Sequence, residues 1–550
     1  MRKTIIAFAM FSAIASFAQD TISRSDLSAA ARLLDLRFTQ KEIDTMYDGV
    51  KENLAGYRMM HKQTLNNNVP MTLWHSPVLP GMHFNEKQES INWNIPSNVS
   101  LPMNRNDLAF YNILQLASLI KNKKISSVAL TQFFIERIKK FGDSLQCVIS
   151  ITEDIAMQQA KQADEEIAKG KYRGPLHGIP YGLKDLFAVK GTKTTWGAAP
   201  YKNQDIEEDA FVYTQLQNAG AILVAKFTLG ALAMGDNWYG GKTKNPWNTK
   251  TGSSGSSAGS ASATVAGLVP FAIGTETWGS IVSPASTCGA TGLRPTFGSI
   301  SRSGGMTLSW SLDKIGPLCR SAEDAAVVFN YIHGTDGYDM SAVNRPFNYK
   351  PKADIKKMKV AYAKNYFDRI TDTSRNEWKV LEAYKKIGVE LIPLNFPDSG
   401  VYNFNIMDVV ISAEGAAAFD DFTRQNIDDE MTNQSKGDWP NTFRISRLMS
   451  AVEYINANRH RYVLMQKVND ALKDIDVLIC PTRGSGSQSA ITNLTGHPVV
   501  CMPTGFDKRF NLPTSITLIG KLYDEASILS VAKAYQDATQ WDEMHPPMFK

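Results

Sequence analysis

Residues 252–280, GSSGSSAGSASATVAGLVPFAIGTETWGS, constrain this chain more than any other stretch. Glycine and serine at this density are either a flexible linker or tightly turned backbone inside a domain. A linker joins two bodies, and no shift of composition marks a boundary here. The segment passes directly into apolar, strand-like, core-like sequence, so we place it inside a domain, where small residues permit close backbone approach. It offers two serines, Ser256 and Ser280, on Gly-rich turns 24 residues apart. Upstream, HGIPYGLKDLFAV sets Lys184 among Ile179, Pro180, Tyr181, Leu183, Leu186 and Phe187. Burial in such a frame disfavours the charged amine and lowers its pKa. A neutral amine takes a proton from a serine hydroxyl, so two serines and a lysine can do nucleophilic chemistry without histidine. Asp185 should point away from Lys184 if the segment is extended.

The surrounding pattern predicts a layered α/β domain with a covered sheet. LAFYNILQLASLIKNKK and SSVALTQFFIERIKKF read as amphipathic helices, the second opening at Ser126 or Ser127. CVISI reads as a strand, EDIAMQQAKQADEEIAKG as a helix stopped by Gly170, and FVYTQLQNAG–AILVAK as helix, turn and buried strand. KMKVAYA, VELIPL and DVLICPT are further strands, EWKVLEAYKKIG lies between the first two as a helix, and ASILSVAKAYQDAT closes the chain as another. Residues 20–65 look helical with Ser25 as a cap, and the Asn/Pro-rich residues 66–104 read as an extended connection. We therefore divide the chain into 1–18, a helical extension with its connection over 19–104, and a main domain over 105–545.

Residues 1–18 read as a secretory signal. Arg2 and Lys3 form a positive start, Ile5 to Phe17 a short apolar run, and Ser16 and Ala18 small residues for cleavage after Ala18. The expectation is an exported protein, periplasmic or extracellular, whose mature chain has no membrane span. Without Arg2 and Lys3 the balance is 57 basic against 54 acidic residues, a net +3. No long basic run accompanies it, which argues against a nucleic-acid partner. The five cysteines form no CxxC pair and read as buried, inert thiols. The eight histidines show no ligand spacing, so no metal centre is expected; no organic cofactor is expected either, and His177 reads as structural.

GIPYGLKD, NPWN and GSSGSSAGSASATVAGLVPFAIGTETWGSIVSPASTCGATGLRPTFG together resemble the amidase signature family. The resemblance covers roughly residues 107–540. It implies one large domain with a mixed β-sheet covered by helices on both faces, and hydrolysis of amide bonds through an acyl-enzyme. The family's Ser–cis-Ser–Lys triad falls on Ser280 as nucleophile, Ser256 after a cis Gly255–Ser256 peptide, and Lys184 as base. The backbone N–H groups of Thr277, Trp278, Gly279 and Ser280 match its oxyanion hole, and Ser257 is a second partner of Lys184. Met234 matches a segment bordering the substrate cavity, though plain core packing explains it equally, and Trp238 and Tyr239 are weaker candidates for the same mouth. The usual GTDTGGSIR reads GTETWGSIV here, with Glu276, Trp278 and Val282 as departures. Glu276 and Val282 bring the motif nearer the peptide-amidase branch than the tRNA-linked branch. The implied partner is a small-molecule or peptide amide.

Two other readings compete. Ser118-Leu119-Ile120-Lys121, Tyr201-Lys202-Asn203 and Lys250-Thr251-Gly252 mimic the SxxK, YxN and KTG order of penicillin-binding enzymes and β-lactamases. Such tripeptides arise easily by chance, and they leave 253–299 unexplained. A non-catalytic amide-binding relative is the other, kept alive by the bulk of Trp278.

Overall fold

A computed structural model describes residues 22–60, 62, 66–69, 73, 75–398, 404–483 and 487–550. The proposed signal segment, 1–18, lies outside the described residues. The chain forms two units, Met1–Leu65 and Asn66–Lys550.

In the first unit, α1 (Arg24–Leu33) and α2 (Gln40–Met60) form a helical pair. The cap of α1 is Ser23 rather than Ser25, because Asp26 stands three residues on and returns its carboxylate to the Ser23 N–H at 2.7 Å. Arg24 Nε donates to Asp44 at 2.5 Å, tying the two helices together.

The second unit is built on one mixed sheet. Its strands are β1 (Val148–Ile151), β2 (Pro180–Lys184), β3 (Ile222–Phe227), β4 (Ala272–Glu276), β5 (Thr291–Arg294), β6 (Lys314–Cys319), β7 (Val360–Ala363), β8 (Leu391–Leu394), β9 (Val477–Pro481), β10 (Val499–Phe506) and β11 (Pro513–Gly520). Their spatial order is β1-β3-β2-β4-β6-β5-β10-β11-β9-β7-β8. The β3-β2-β4 and β9-β7-β8 pairings are parallel and the others antiparallel. Both faces are covered, as the period-two distribution of core residues shows. Val500, Met502, Val477 and Ile479 belong to one buried cluster, while Val499, Cys501, Leu478 and Cys480 belong to another. At the far end Ile222 and Val224 enter a third cluster, and Leu223 between them enters the first. All five residues of β2 and all six of β3 are buried, as expected of central strands covered on both sides.

The helices expected before β3 are present, with one break. The pattern over LAFYNILQLASLI divides into a short 3-10 turn, Arg105–Phe110, and α3 (Ile113–Lys121). Asn112 starts α3 afresh, exchanging side-chain and backbone hydrogen bonds with Gln115 in a capping box. Then follow α4 (Ser127–Leu145), capped by Ser126, α5 (Glu153–Ala168) and α6 (Phe211–Asn218). Within the Gly/Ser-rich part, which taken alone reads as a linker, Ala258–Val265 form a helix, α7, and the apolar, strand-like part beyond it holds β4. Ala, Gly, Ser and Thr are small enough for this helix to be buried on all sides, so no polar face shows in its sequence. Beyond β4 come α8 (Val282–Cys288) and α9 (Ala322–Ile332). Among the described residues no helix is long and apolar enough to cross a membrane.

Candidate active site

Lys184 is the last residue of β2, held between β3 and β4, and its side chain is wholly buried. Asp185, the next residue, points away as alternation demands. It pairs with buried Lys226 at 2.9 Å and accepts hydrogen bonds from the Thr195 N–H and hydroxyl.

The Gly/Ser segment brings two serines to Lys184. The Gly255–Ser256 peptide is cis, the one such bond among the described residues. A Cβ at Gly255 would stand 1.8 Å from the Gly235 carbonyl oxygen, so backbone approaches backbone where only glycine fits. Ser257 occupies the N-cap position of α7 but makes no side-chain cap hydrogen bond. Its hydroxyl instead accepts from the Thr275 N–H at 3.1 Å and donates to the Thr275 carbonyl at 3.0 Å.

Lys184 Nζ has three close hydroxyl partners: Ser256 Oγ at 2.8 Å, Thr275 Oγ1 at 2.8 Å and Ser257 Oγ at 3.2 Å. Counting hydrogens restricts their roles. Ser257 spends its own hydrogen on the Thr275 carbonyl, so toward Lys184 it only accepts. A neutral amine has two hydrogens and one lone pair. That leaves the lone pair for one of the two hydroxyls at 2.8 Å, Ser256 or Thr275, and a base for Ser256 results when Thr275 takes the second hydrogen. Burial supplies the neutral amine, lowering the Lys184 pKa from 10.5 to about 7 against the weaker opposing pull of the Asp313 and Glu276 carboxylates.

Ser280 lies at the end of a turn running from β4 into α8 and is 7% exposed. Its carbonyl accepts the Ser257 N–H at 3.0 Å, which fixes the two serine turns against each other. Among the described residues no hydrogen bond joins the Ser256 and Ser280 hydroxyls, and neither the Gly279 nor the Ser280 N–H is given to a protein acceptor. Gly279 has φ +85°, a left-handed conformation that glycine adopts without strain. Trp278 is not among the residues with positive φ, so the backbone there accepts a side chain. Its indole is half-buried against the second apolar cluster.

The turn is held by groups that sequence reasoning did not single out as a site. The Glu276 carboxylate, fully buried, accepts the Ile281 and Val282 N–H groups at 2.9 Å and Arg294 Nη1 and Asn493 Nδ2 at 2.8 Å. Burial raises its pKa, but the Arg294 guanidinium, the Val282 N–H and Asn493 together outweigh it and hold the carboxyl at about 2. Asp313 accepts from the Thr277 hydroxyl at 2.6 Å and from the Leu308 and Ser309 N–H groups at 2.8 and 2.9 Å. Glu276 and Arg294 lie inside the quoted motif and so carried a signal. Asp313 and Asn493, 33 and 213 residues beyond Ser280, carried none.

Met234 is partly buried against the main cluster, and its neighbour Gly235 closes on Gly255. Trp238 and Tyr239 form an edge-to-face pair with centroids 4.9 Å apart. His177 is buried and accepts the Arg173 N–H, with burial lowering its pKa to about 4. Ser118 is buried within α3. All five cysteines are buried and free.

A family model described as Amidase matches residues 129–488. The A subunit of the glutamyl-tRNA(Gln) amidotransferase of Coxiella burnetii is 33% identical over 480 residues, covering 79% of this chain and 99% of that one. Its counterpart in Methylococcus capsulatus is 32% identical over 478 residues, covering 79% and 98%. The peptide amidase of Stenotrophomonas maltophilia superposes with a TM-score of 0.73 at 26% identity, covering 81% of this chain and 100% of that one. A bacterial aryl acylamidase shares the fold at a TM-score of 0.70 and 21% identity, covering 79% and 97%.

Proposed function

Because this chain belongs to the amidase family, whose chemistry is the cleavage of amide C–N bonds, we propose that it is a serine hydrolase of linear, non-peptide amides, with Ser280, Ser256 and Lys184 as its triad. The observation that carries the reading is the setting of Lys184: a buried amine with its pKa lowered to about 7 and its Nζ 2.8 Å from the Ser256 hydroxyl. Ser256 gives its proton to Lys184 and takes the Ser280 proton as Ser280 Oγ attacks the amide carbonyl. The Gly279 and Ser280 N–H groups, joined by those of Thr277 and Trp278, receive the charge that develops on the oxygen, and one such donor is worth roughly 2.7–4 kcal/mol. The C–N bond then breaks as the relay returns its proton to the nitrogen. Water attacks the acyl-Ser280 ester, releasing the acid and restoring the hydroxyl. The open Ser256–Ser280 step is in keeping with apo sites, whose reacting groups often close to hydrogen-bond distance only around substrate.

The similarity to amidotransferase subunits spans nearly their whole length and favours a second reading, an amidase feeding ammonia to an acceptor. Glu276 and Val282 at the motif's departures, and the signal-like residues 1–18, support a stand-alone exported enzyme instead. Ammonia and amine release from a panel of amides, with Ser280→Ala as the blank, tests the proposal. We expect turnover lost at least 10³-fold in the variant. Equal background release from both proteins across the panel refutes it.

A further inference from the structure

A cavity of about 650 Å³ opens beside the site, with Thr275 and Thr277 in its wall. Thr275 is the residue whose hydroxyl lies 2.8 Å from Lys184 Nζ. The cavity therefore abuts the lysine side of the relay. Trp278 packs on a different apolar cluster and is not in the wall of this cavity. The relay delivers its returning proton from the Lys184–Ser256 side to the nitrogen of the breaking bond, so the amine half of an amide projects toward that side.

The walls fit an apolar group. Phe187, Phe211, Met306, Trp310 and Ile315 line the cavity. Arg302, also in the wall, is neutralised by a bidentate pair with Asp339 at 2.7 and 2.8 Å. Asp313 is occupied by Thr277 and two backbone N–H groups. Glu208 and Asp209 also belong to the lining; Asp209 accepts the Lys190 N–H at 2.9 Å, and among the described residues neither carboxylate is ion-paired. An amine released at neutral pH leaves as an ammonium, for which these carboxylates are the complementary charge.

From this juxtaposition we infer that the cavity receives the amine half of an N-substituted amide, so that the enzyme's substrates are secondary amides with an apolar amine substituent and its nitrogen product is an amine rather than ammonia. The inference rests on the amide-hydrolase reading. The balance is RC(O)–NHR′ plus water giving RCOOH and R′NH2. The carbonyl carbon exchanges its bond to nitrogen for one to Ser280 Oγ and then for one to water. The nitrogen takes its proton from the relay.

The test compares a primary amide with the N-benzyl amide of the same acid. Wild type should cleave the N-benzyl amide with at least tenfold higher kcat/KM. Met306→Trp, which fills the cavity, should reduce the ratio of the two rates at least tenfold, and Glu208→Gln/Asp209→Asn should raise the inhibition constant of benzylamine several-fold. Preference for the primary amide in wild type overturns the inference and leaves the hydrolase reading standing. So does a Met306→Trp ratio equal to wild type together with unaltered benzylamine inhibition in the double variant. Cleavage of neither amide, with Ser280→Ala indistinguishable from wild type, removes both.

Discussion

Replacing Glu276 by Gln should release the turn that carries Ser280. The Glu276 carboxylate is surrounded by four donors: two backbone N–H groups of the turn on Oε2, and Arg294 and Asn493 on Oε1. Glutamine matches the shape but offers one oxygen and one NH2, so two of the four donors lose their acceptor. Two stranded donors at about 1–3 kcal/mol each set the scale. The charge gives a similar figure. Arg294 is fully buried, and removing its partner leaves an uncompensated cation, which costs about 3–5 kcal/mol. Urea-induced unfolding should therefore show Glu276→Gln less stable by about 3–5 kcal/mol. Adding Arg294→Met removes the orphaned charge and should recover half of that loss or more. Activity should recover only in part, because a single amide oxygen must then serve the Ile281 and Val282 N–H groups that the carboxylate held alongside Asn493. A single-variant loss under about 1 kcal/mol, the range of an exposed pair, would refute the reasoning. The same carboxylate links stability to acid. Its pKa is depressed from 4.5 to about 2, so its contribution is complete above the unfolded carboxyl range and is lost as pH falls toward 2.

Other outcomes follow from the site. kcat/KM should rise tenfold per pH unit below about 7 and level off above 8, because only the neutral Lys184 accepts a proton; a profile flat from pH 5.5 to 8 would exclude Lys184 as the base. Ser257→Ala removes one acceptor of the amine and the partner of the Thr275 N–H, and should lower kcat about tenfold, or about 1.4 kcal/mol, in steady-state assays. Gly279→Ala forces a side chain into the left-handed region, costing about 1–2 kcal/mol, with its Cβ 3.0 Å from Ser283 Oγ. Thermal unfolding should report that loss, and kcat a larger one, because the displaced backbone carries Ser280.

The parts of this protein that were legible in its sequence are those set by local pattern. The alternation of helices with short apolar runs located β1, β3, β7, β8 and β9 and the helices α1 to α6, but not α8, α9 or the helices between residues 404 and 472, and three motifs in order pointed to Lys184, Ser256 and Ser280. Two helical features misled. The start of α3 depends on Asn112 reaching Gln115, which apolar periodicity does not register. The all-small α7 has no polar face, so taken alone it reads as a linker. What remained hidden is long-range pairing. Asn493 meets Glu276 from 217 positions away, and Asp313 reaches Thr277 across 36. Nothing near those residues marks them, because their meaning comes from the sheet order that brings β4, β5 and β6 together.

The proposed chemistry stands or falls on Ser280 being the nucleophile and Lys184, acting through Ser256, its base. Labelling the protein with a fluorophosphonate and mapping the adduct by peptide mass puts that assignment to trial. A single adduct on Ser280 is expected, forming at a rate that rises through pH 7 in the wild type and falls at least 10³-fold in Lys184→Ala. An adduct on Ser256 or Ser118, or a Ser280 adduct forming equally fast without Lys184, would overturn it.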